Sequence, residues 1–312
     1  MQTAAAATPA PLNKWTWWVE GGAQALSGAD SNVFGFTSPF AASHPQWGWD
    51  GAIGVDYRID AAWHLSGDFR YGQTGERSKS SNPVSTFSFF NGLFTSTTAV
   101  TGKNSAERKE TNWAADFMAG RDLGLGIGDS SQVKLGVRIA QIRGTTNGSA
   151  SWNAPVWNSP TSTAVITVNH TRSYKQTNKF LGAGPRLALE GNVPLARWWP
   201  RAEKWSIDYM GGVAALVGPR SVNQTVSISN SGPAANCLSG CPQNLSNSST
   251  GFVPNPDAMI GVSYALMPGM KLSLNYRVDA YLDALKIVDA NNRIKNADRI
   301  YSGPNLRLTF NF

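Results

Sequence analysis

Three residues on one predicted strand, His64, Ser66 and Asp68, carry the chemical groups that a hydrolase would need. Nucleophilic catalysis requires a hydroxyl or thiol within hydrogen-bond reach of a base that a third group orients. Alternate residues of a strand share a face but lie roughly 7 Å apart, which is too far for direct hydrogen bonds. The sequence also lacks a G-x-S-x-G elbow. It therefore predicts a protein that is not an enzyme, and His64 is expected to be a polar residue on the inner face of its strand.

The stretch CLSGC places Cys237 and Cys241 four residues apart. No His or Cys neighbour completes the four ligands of a structural zinc site. A small disulfide-closed loop in an oxidising compartment is the favoured interpretation. We expect no metal site and no cofactor.

Charged residues are scarce, at 15% of the chain, against about 25% in ordinary soluble proteins. They recur at alternate positions of short segments, opposite apolar residues. The following residues are candidates for the polar inner face: Glu20, Asp50, Asp56, His64, Asp68, Arg70, Asp116, Lys134, Arg138, Arg186, Asp208, Lys271, Arg277, Asp279 and Arg307. Because strand side chains alternate between two faces, this pattern predicts strands with one apolar and one polar face.

About ten segments show this alternation. They are WTWWVEGGAQA, WGWDGAIGVDY, WHLSGDFRYG, NWAADFMAGRD, QVKLGVRIA, LGAGPRLALEG, WSIDYMGGVAALV, DAMIGVSYAL, KLSLNYRVDAYL and GPNLRLTFNF. Several begin with Trp, which favours the interface between membrane and water. A soluble sandwich would need one dry face on each sheet and would not place charges on nearly every strand.

The predicted connections alternate between short and long. After the even strands lie short links such as 58–61 and 268–270, although the link at 192–204 is longer. After the odd strands lie polar links at 27–46, 76–108, 145–173, 218–254 and 285–299. Short turns at one rim and long loops at the other are typical of outer-membrane barrels. The fold class is therefore all-β: a transmembrane antiparallel up-and-down β-barrel of about ten strands, or twelve if two more lie in the long loops.

Two of these links carry patterns of their own. The apolar stretch at 85–100 is interpreted as an extracellular hairpin, with a fold into the lumen or burial against another subunit as alternatives. ITVNHTRSYK and VNQTVSISN also alternate, which predicts that some strands extend well above the membrane.

One domain accounts for most of the chain. Residues 1–13 are expected to be a disordered N-terminal remnant of a leader, and residues 14–312 a single barrel. The net charge of +7 comes from dispersed Lys and Arg without a basic stripe, so no nucleic-acid partner is expected. The final strand ends at Phe312 and is expected to pair with the first strand. Outer-membrane proteins commonly end in such a strand, which the barrel assembly machinery reads.

Several segments resemble the Legionella-type major outer membrane protein family, which is described as pore-forming. They are WDGAIGVDYRIDAAWHLSGDFRYG, KLGVRIAQIRG, KFLGAGPRLALEG, MGGVAALVGPR, VPNPDAMIGVSYAL and YSGPNLRLTFNF. The resemblance covers most of strands two to ten in order. It implies a pore-forming barrel of the Gram-negative outer membrane and carries over no catalytic residue.

The function expected is porin-like passage of ions or small solutes through a narrow charged lumen, because ten strands lie between filled eight-stranded and open sixteen-stranded barrels. Arg70, Arg277 and Arg307, near Asp68 and Asp279, are the candidates for its narrowest zone. The alternative is a non-conducting structural or adhesive barrel that acts through its loops. Expected partners are outer-membrane lipid and lipopolysaccharide, the assembly machinery, small solutes or ions, and a second copy in a homo-oligomer.

Overall fold

The computed structural model describes residues 14–28, 46–60, 62–80, 83–90, 95–123, 130–157, 165–231, 243–288 and 293–312. The strands within these ranges are β1 (Trp15–Ser27), β2 (Gln46–Arg58), β3 (Trp63–Ser80), β4 (Pro83–Phe90), β5 (Thr95–Asp122), β6 (Ser130–Trp157), β7 (Val165–Pro194), β8 (Trp205–Ser231), β9 (Gln243–Met267), β10 (Met270–Val288) and β11 (Ile294–Asn311). The predicted leader remnant at 1–13 and the Cys237–Cys241 loop lie outside the described residues.

Ten of these strands close into one antiparallel barrel. Neighbouring strands pair in chain order, except that β3 pairs directly with β5. β11 pairs with β1, so that Trp17 lies opposite Phe310 and Glu20 opposite Arg307. This closure confirms the predicted ten-stranded barrel and the predicted pairing of the last strand with the first.

The remaining strand, β4, pairs with the first part of β5 and with no barrel strand in the described part of the chain. The two form an antiparallel hairpin in which Phe90 lies opposite Thr95. The hairpin stands above the point where β5 joins β3, at the rim of the long connections. This confirms the predicted hairpin within residues 85–100.

The apolar face of each strand points outward, and strand β10 shows the alternation clearly. Leu274 and Tyr276 are 61% and 51% exposed, whereas Asn275 and Arg277 between and beside them are 2% and 7% exposed. A water-soluble fold would bury the first pair and expose the second. The outer wall is therefore built to contact hydrocarbon, and the polar residues are enclosed by the barrel.

Aromatic rings gather where the strands begin at the short-turn rim. The rings of Trp15 and Tyr57 lie 4.5 Å apart, and those of Trp205 and Tyr264 lie 4.9 Å apart. The guanidinium of Arg121 lies 5.6 Å from the centre of the Trp63 ring. Amphipathic rings and flanking cations of this kind are typical of the interfacial girdle of a membrane barrel.

The connections at this rim are short. Asp60 accepts hydrogen bonds from the backbone N–H groups of Ala62 and Trp63, at 2.7 and 2.8 Å, and these bonds lower the pKa of its carboxyl group. Gly269 has φ +80° in the turn between β9 and β10, a conformation that favours glycine. Within the described ranges the helical segments are the 3₁₀ turns Leu195–Arg197 and Pro200–Ala202, and no helix there is long and apolar enough to cross a membrane.

Strands at the opposite rim are much longer than the sequence predicts. β7 has 30 residues and β6 has 28, whereas a tilted strand crosses a membrane with about 9–11. Much of 145–173 and 218–254, predicted as loops, is therefore strand. The prediction was wrong there because Ser, Thr and Asn occupy both faces, so hydropathy stops alternating while backbone pairing continues. The two alternating stretches within β7 and β8 were predicted correctly as strand extensions.

Candidate functional site in the barrel lumen

The fifteen candidates for the polar face all lie inside the barrel. Ten of them line one cavity: Asp56, His64, Asp68, Asp116, Lys134, Arg186, Asp208, Lys271, Arg277 and Arg307. The other five are also buried inside the barrel but do not line this cavity: Glu20, Asp50, Arg70, Arg138 and Asp279. The structure groups these residues into two levels of the lumen, and residues that were not among the candidates form a third.

The first level is a water-accessible vestibule at the short-turn rim, with a volume of about 680 Å³. Lys134 on β6 reaches across it to Asp56 on β2 at 3.0 Å and also pairs with Glu190 at 2.5 Å. On the opposite wall, Asp208 accepts hydrogen bonds from Lys271 at 3.0 Å. Charges of both signs thus line the vestibule, and both Lys134 and Lys271 are paired with carboxylates.

His64 lies at the edge of the vestibule between two carboxylates. Its Nδ1 is 3.0 Å from Asp56, and its Nε2 is 3.1 Å from Asp122. Both ring nitrogens therefore face acidic groups, and Ser66 is not a hydrogen-bond partner of the ring. The partners of His64 are thus Asp56 and Asp122 rather than Ser66 and Asp68 of its own strand.

The second level is a layer of arginines and carboxylates at mid-height. Arg138 on β6 makes a two-pronged contact with Asp116, at 2.7 and 2.6 Å, and donates to Asn255 of β9 across the lumen at 2.6 Å. Arg186 contacts Asp257 in the same way, at 2.6 and 2.8 Å. A Cβ at Gly212 would lie 2.8 Å from Asp257 and 3.0 Å from Arg186, so the glycine leaves space for this pair.

The layer continues around the remaining wall. Arg70 bridges Glu20 and Asp50, with both distances 2.7 Å. Arg307 donates to the second oxygen of Glu20 at 2.7 Å and lies 4.2 Å from the centre of the Trp18 ring. Arg277 contacts Asp257 at 3.2 Å. The residues predicted for the narrowest zone therefore belong to this layer, although Arg70 and Arg307 take Glu20 and Asp50 rather than Asp68 as partners.

The third level lies above the arginines. Glu110 on β5 accepts hydrogen bonds across the lumen from Arg299 at 3.0 Å and from Tyr301 at 2.7 Å, both on β11. Around them is a buried apolar cluster that faces inward: Leu26, Ala114, Ala140, Ile142, Phe180, Ala214, Leu216, Val253, Tyr281, Ala284, Leu285 and Tyr301. A separate small cavity of about 10 Å³ lies against one wall of the lumen, at Gln24, Arg70 and Tyr301, and has about the space of one water molecule.

A bulge in β10 contributes to this third level. Leu285 is four positions after Tyr281, whereas their partners Arg299 and Ala297 on β11 are two positions apart, so β10 carries two extra residues. Asp283 within the bulge has φ 56°, and its carbonyl accepts a hydrogen bond from Arg220 of β8 at 2.6 Å. The bulge therefore brings the upper part of β10 into the lumen, where Leu285 is fully buried.

Sequence reasoning missed the ionic contact of the third level because its charged residues lay in or beside segments predicted as loops. Glu110 and Arg299 were assigned to the links 76–108 and 285–299 or their edges. The signal that could have found Glu110 is the continued alternation of Arg108, Glu110 and Asn112, which are all buried. Strand alternation gives no comparable signal for the β10 bulge, because a bulge breaks it.

Comparisons with known proteins agree with this architecture. The family profile described as "Legionella pneumophila major outer membrane protein precursor" matches residues 16–312. No curated protein sequence matches the chain.

Solved structures similar to the chain are membrane barrels. The outer membrane protease OmpT of Escherichia coli has 9% identity and a TM-score of 0.44, with 97% of this chain and 98% of that chain covered. Neisserial surface protein A has 11% identity, a TM-score of 0.25 and coverage of 95% and 97%. The attachment invasion locus protein Ail of Yersinia pestis has 9% identity, a TM-score of 0.28 and coverage of 95% and 99%.

The family match covers nearly the whole chain, including all ten barrel strands and the layered lumen that they enclose. The chain therefore belongs to the Legionella pneumophila major outer membrane protein family, and its barrel lies in the outer membrane of a Gram-negative bacterium.

Proposed function

We propose that the lumen of this outer-membrane barrel is closed to diffusion in its resting state. We propose further that the barrel acts through its outer wall, the part of its long strands that extends outside the membrane. The observation that carries the proposal is the filling of the lumen beyond the vestibule of about 680 Å³ by buried ion pairs and buried apolar side chains. In the described part of the chain, the arginine layer and the apolar cluster occupy the lumen between the vestibule and the outer rim.

The energetics of the arginine layer support a closed resting state. Arg138 and Arg186 are 1% and 3% exposed, and each makes two short contacts with a carboxylate. Removing one partner of a buried ion pair costs about 3–5 kcal/mol, because the other charge is left without compensation. An ion path through this layer would require several such pairs to separate together.

The apolar cluster supports the same conclusion. Ile142, Phe180, Leu216 and Val253 are completely buried and point into the lumen from four strands. An apolar constriction excludes hydrated ions because it offers no groups to replace their water. An ion that passed the arginines would meet this second barrier.

The length of the strands supports the second part of the proposal, that the barrel acts through its wall outside the membrane. β6 has 28 residues, which at about 3.3 Å per residue gives a length of about 90 Å. A tilt of about 40° leaves about 70 Å along the barrel axis, against an apolar band of about 25 Å. The upper part of this wall is rich in Ser, Thr, Asn and Gln, which suits hydrogen-bonded contact with other surface components.

A gated narrow pore is the second candidate, and one feature of the arginine layer favours it. Several guanidinium groups lie close to more than one carboxylate: Arg186 is 3.2 Å from Asp116 as well as 2.6 Å from Asp257. Arg138 is 3.7 Å from Asp257 and 3.8 Å from Asp279. Exchange of partners could rearrange the layer without leaving a charge unpaired, and the vestibule would then feed a conducting path.

The absence of catalysis is part of the proposal. His64 is held between two carboxylates and has no contact with a nucleophile, so it lacks the arrangement that general-base chemistry requires. We assign it to the paired charges of the vestibule.

Single-channel recording in planar bilayers under a salt gradient tests the proposal. We expect no stable conductance steps from protein whose folding is verified by the slower gel migration of the heat-denatured form. A general porin added to the same bilayer is the positive control. Regular conductance steps from the folded wild type would refute the closed barrel and support the gated pore.

If conductance steps appear, two double variants identify the path that the ions take. Phe180→Ala with Leu216→Ala enlarges the lumen at the apolar cluster. Leu181→Ala with Val217→Ala makes the same kind of change one residue along each strand, on the outer wall. A gated pore through the lumen predicts that only the first double variant raises the conductance.

A further inference from the structure

Three basic side chains lie together on the outer wall just above the apolar band. Lys109 on β5, Arg143 on β6 and Lys179 on β7 are all exposed and point away from the lumen. Arg143 lies directly opposite Lys179 in the strand pairing. Lys109 lies opposite Thr145, which places it diagonally next to Arg143. We call these three residues the basic triad.

The position of the basic triad relative to the membrane follows from the outer face of β6. Val133, Leu135, Val137 and Ile139 are the outward apolar residues of this strand, and Arg143 is ten residues beyond Val133. Ten residues cover about 33 Å along a strand, or about 25 Å along the axis at a tilt of about 40°. Arg143 therefore lies at the outer edge of the hydrocarbon, where lipid headgroups begin.

The position of a nearby tryptophan agrees with this height of Arg143 in the membrane. The indole N–H of Trp113 donates to Gln141 at 3.1 Å, and these two residues lie opposite each other on β5 and β6. Both point outward, one step below Arg143 and Thr111. Trp at this depth is typical of the interface between hydrocarbon and headgroups.

The charges of the basic triad are not balanced by the protein. Among the described residues, no acidic side chain forms an ion pair with Lys109, Arg143 or Lys179. The outward carboxylate of Glu107, two residues from Lys109, pairs instead with Arg77 at 3.0 Å. Like charges directly opposite each other destabilise a sheet, so the arrangement calls for an anion from outside the chain.

We propose that the basic triad binds the phosphate groups of lipopolysaccharide in the outer leaflet. Phosphate forms strong charge-assisted hydrogen bonds with Arg and Lys, and the planar guanidinium of Arg143 can hold two of its oxygens. Thr145 and Thr177 lie at paired positions next to these charges, and their hydroxyl groups provide further donors. The exposed Leu135 and Leu187 below offer an apolar wall for the acyl chains. This inference is independent of whether the lumen conducts.

Native mass spectrometry of the folded protein in detergent micelles tests this site, with diphosphoryl lipid A and the same lipid without its phosphates as probes. We expect the wild type to prefer the phosphorylated lipid by at least about tenfold, which corresponds to about 1.4 kcal/mol. The variant Lys109→Gln, Arg143→Gln, Lys179→Gln should lose this preference. Lys103→Gln, an exposed change six residues farther up β5, should keep it.

Other outcomes would overturn the proposal. Equal binding of both lipids by the wild type would mean that the acyl chains alone are recognised, and this comparison does not depend on the variants folding. An unchanged preference in the triple variant, or an equal loss with Lys103→Gln, would remove the basic triad from the site. Displacement of the lipid by millimolar inorganic phosphate would identify a site for free anions instead.

Discussion

At the scale of single residues, the lumen is organised by arginines that each hold a carboxylate from another strand. Arg138 joins β6 to β5 and β9, and Arg299 joins β11 to β5. Two-pronged guanidinium–carboxylate contacts are short and directional, so these side chains act as cross-links within the barrel. They stabilise its cross-section only while every charge keeps its partner.

A comparison of two arginine variants tests this role. Arg138→Ala removes a side chain that is 1% exposed. Asp116 and Asn255 then lose the hydrogen bonds that Arg138 donates to them. We expect the free energy of unfolding to fall by about 3 kcal/mol or more, measured by urea titration in lipid vesicles.

The control for this comparison is Arg77→Ala, which removes the exposed pair with Glu107, whose side chains are 66% and 50% exposed. Exposed pairs contribute about 0–1 kcal/mol, so this variant should unfold almost as the wild type does. Equal losses in the two variants would contradict the role assigned to the central layer.

At the scale of the elements, the bulge of β10 makes the upper part of this strand contribute to the third level of the lumen. Its two extra residues allow the strand to keep its pairing with β11 on both sides while its upper end enters the lumen. The backbone N–H of Asp283 donates to the carboxylate of Asp298 at 2.8 Å, which fixes the bulge to β11. Bulges bend a strand and redirect its side chains, and here the redirected residues are Ala284 and Leu285.

Substitutions at Asp283 test the conformation of the bulge. Its φ of 56° lies in the left-handed region, which costs most residues about 1–2 kcal/mol and glycine almost nothing. We expect Asp283→Gly to leave the free energy of unfolding within about 0.5 kcal/mol of the wild type, and Asp283→Val to lower it by about 1–2 kcal/mol. Equal stability of the two variants in denaturant titrations would mean that the bulge has another backbone conformation.

At the scale of the whole molecule, the strands of the described residues are longer on one side of the barrel than on the other. β1 and β2 have 13 residues each, whereas β5 to β9 have 25 to 30. Thirteen residues are only slightly more than one membrane crossing needs. The strands β5 to β9 therefore form a curved sheet that continues outside the membrane, and this sheet carries the basic triad at its base.

Spin labels along the outer face of β6 test this position in the membrane. A nitroxide at Leu135, which is 62% exposed, should be reached by oxygen from the lipid and protected from a water-soluble nickel complex. A label at Asn147, twelve residues farther along the strand, should show the opposite preference in power-saturation measurements. Lipid exposure at Asn147 would place the basic triad inside the hydrocarbon and contradict the assigned height.

The architecture could be predicted from the sequence because alternate residues of a membrane barrel face two different environments, the lipid outside and the polar lumen inside. Leu274 and Arg277 fall on opposite faces in any extended strand, and an outward apolar face identifies lipid as the solvent. The strand count, the closure of β11 on β1 and the inward side of the charged residues all follow from that periodicity and from the lengths of the connections.

The pairing inside the lumen was decided only by the tertiary structure. Periodicity says that Arg138 points inward but not which side chain it meets across the lumen, because its partner Asn255 is 117 residues away on the opposite wall. The third level depends on a bulge that interrupts the alternation at Tyr281–Leu285 and on a cross-lumen contact of Glu110 with Arg299, 189 residues apart. Strand patterns record which side of the wall a residue faces, whereas closure of the barrel determines which residues meet across it.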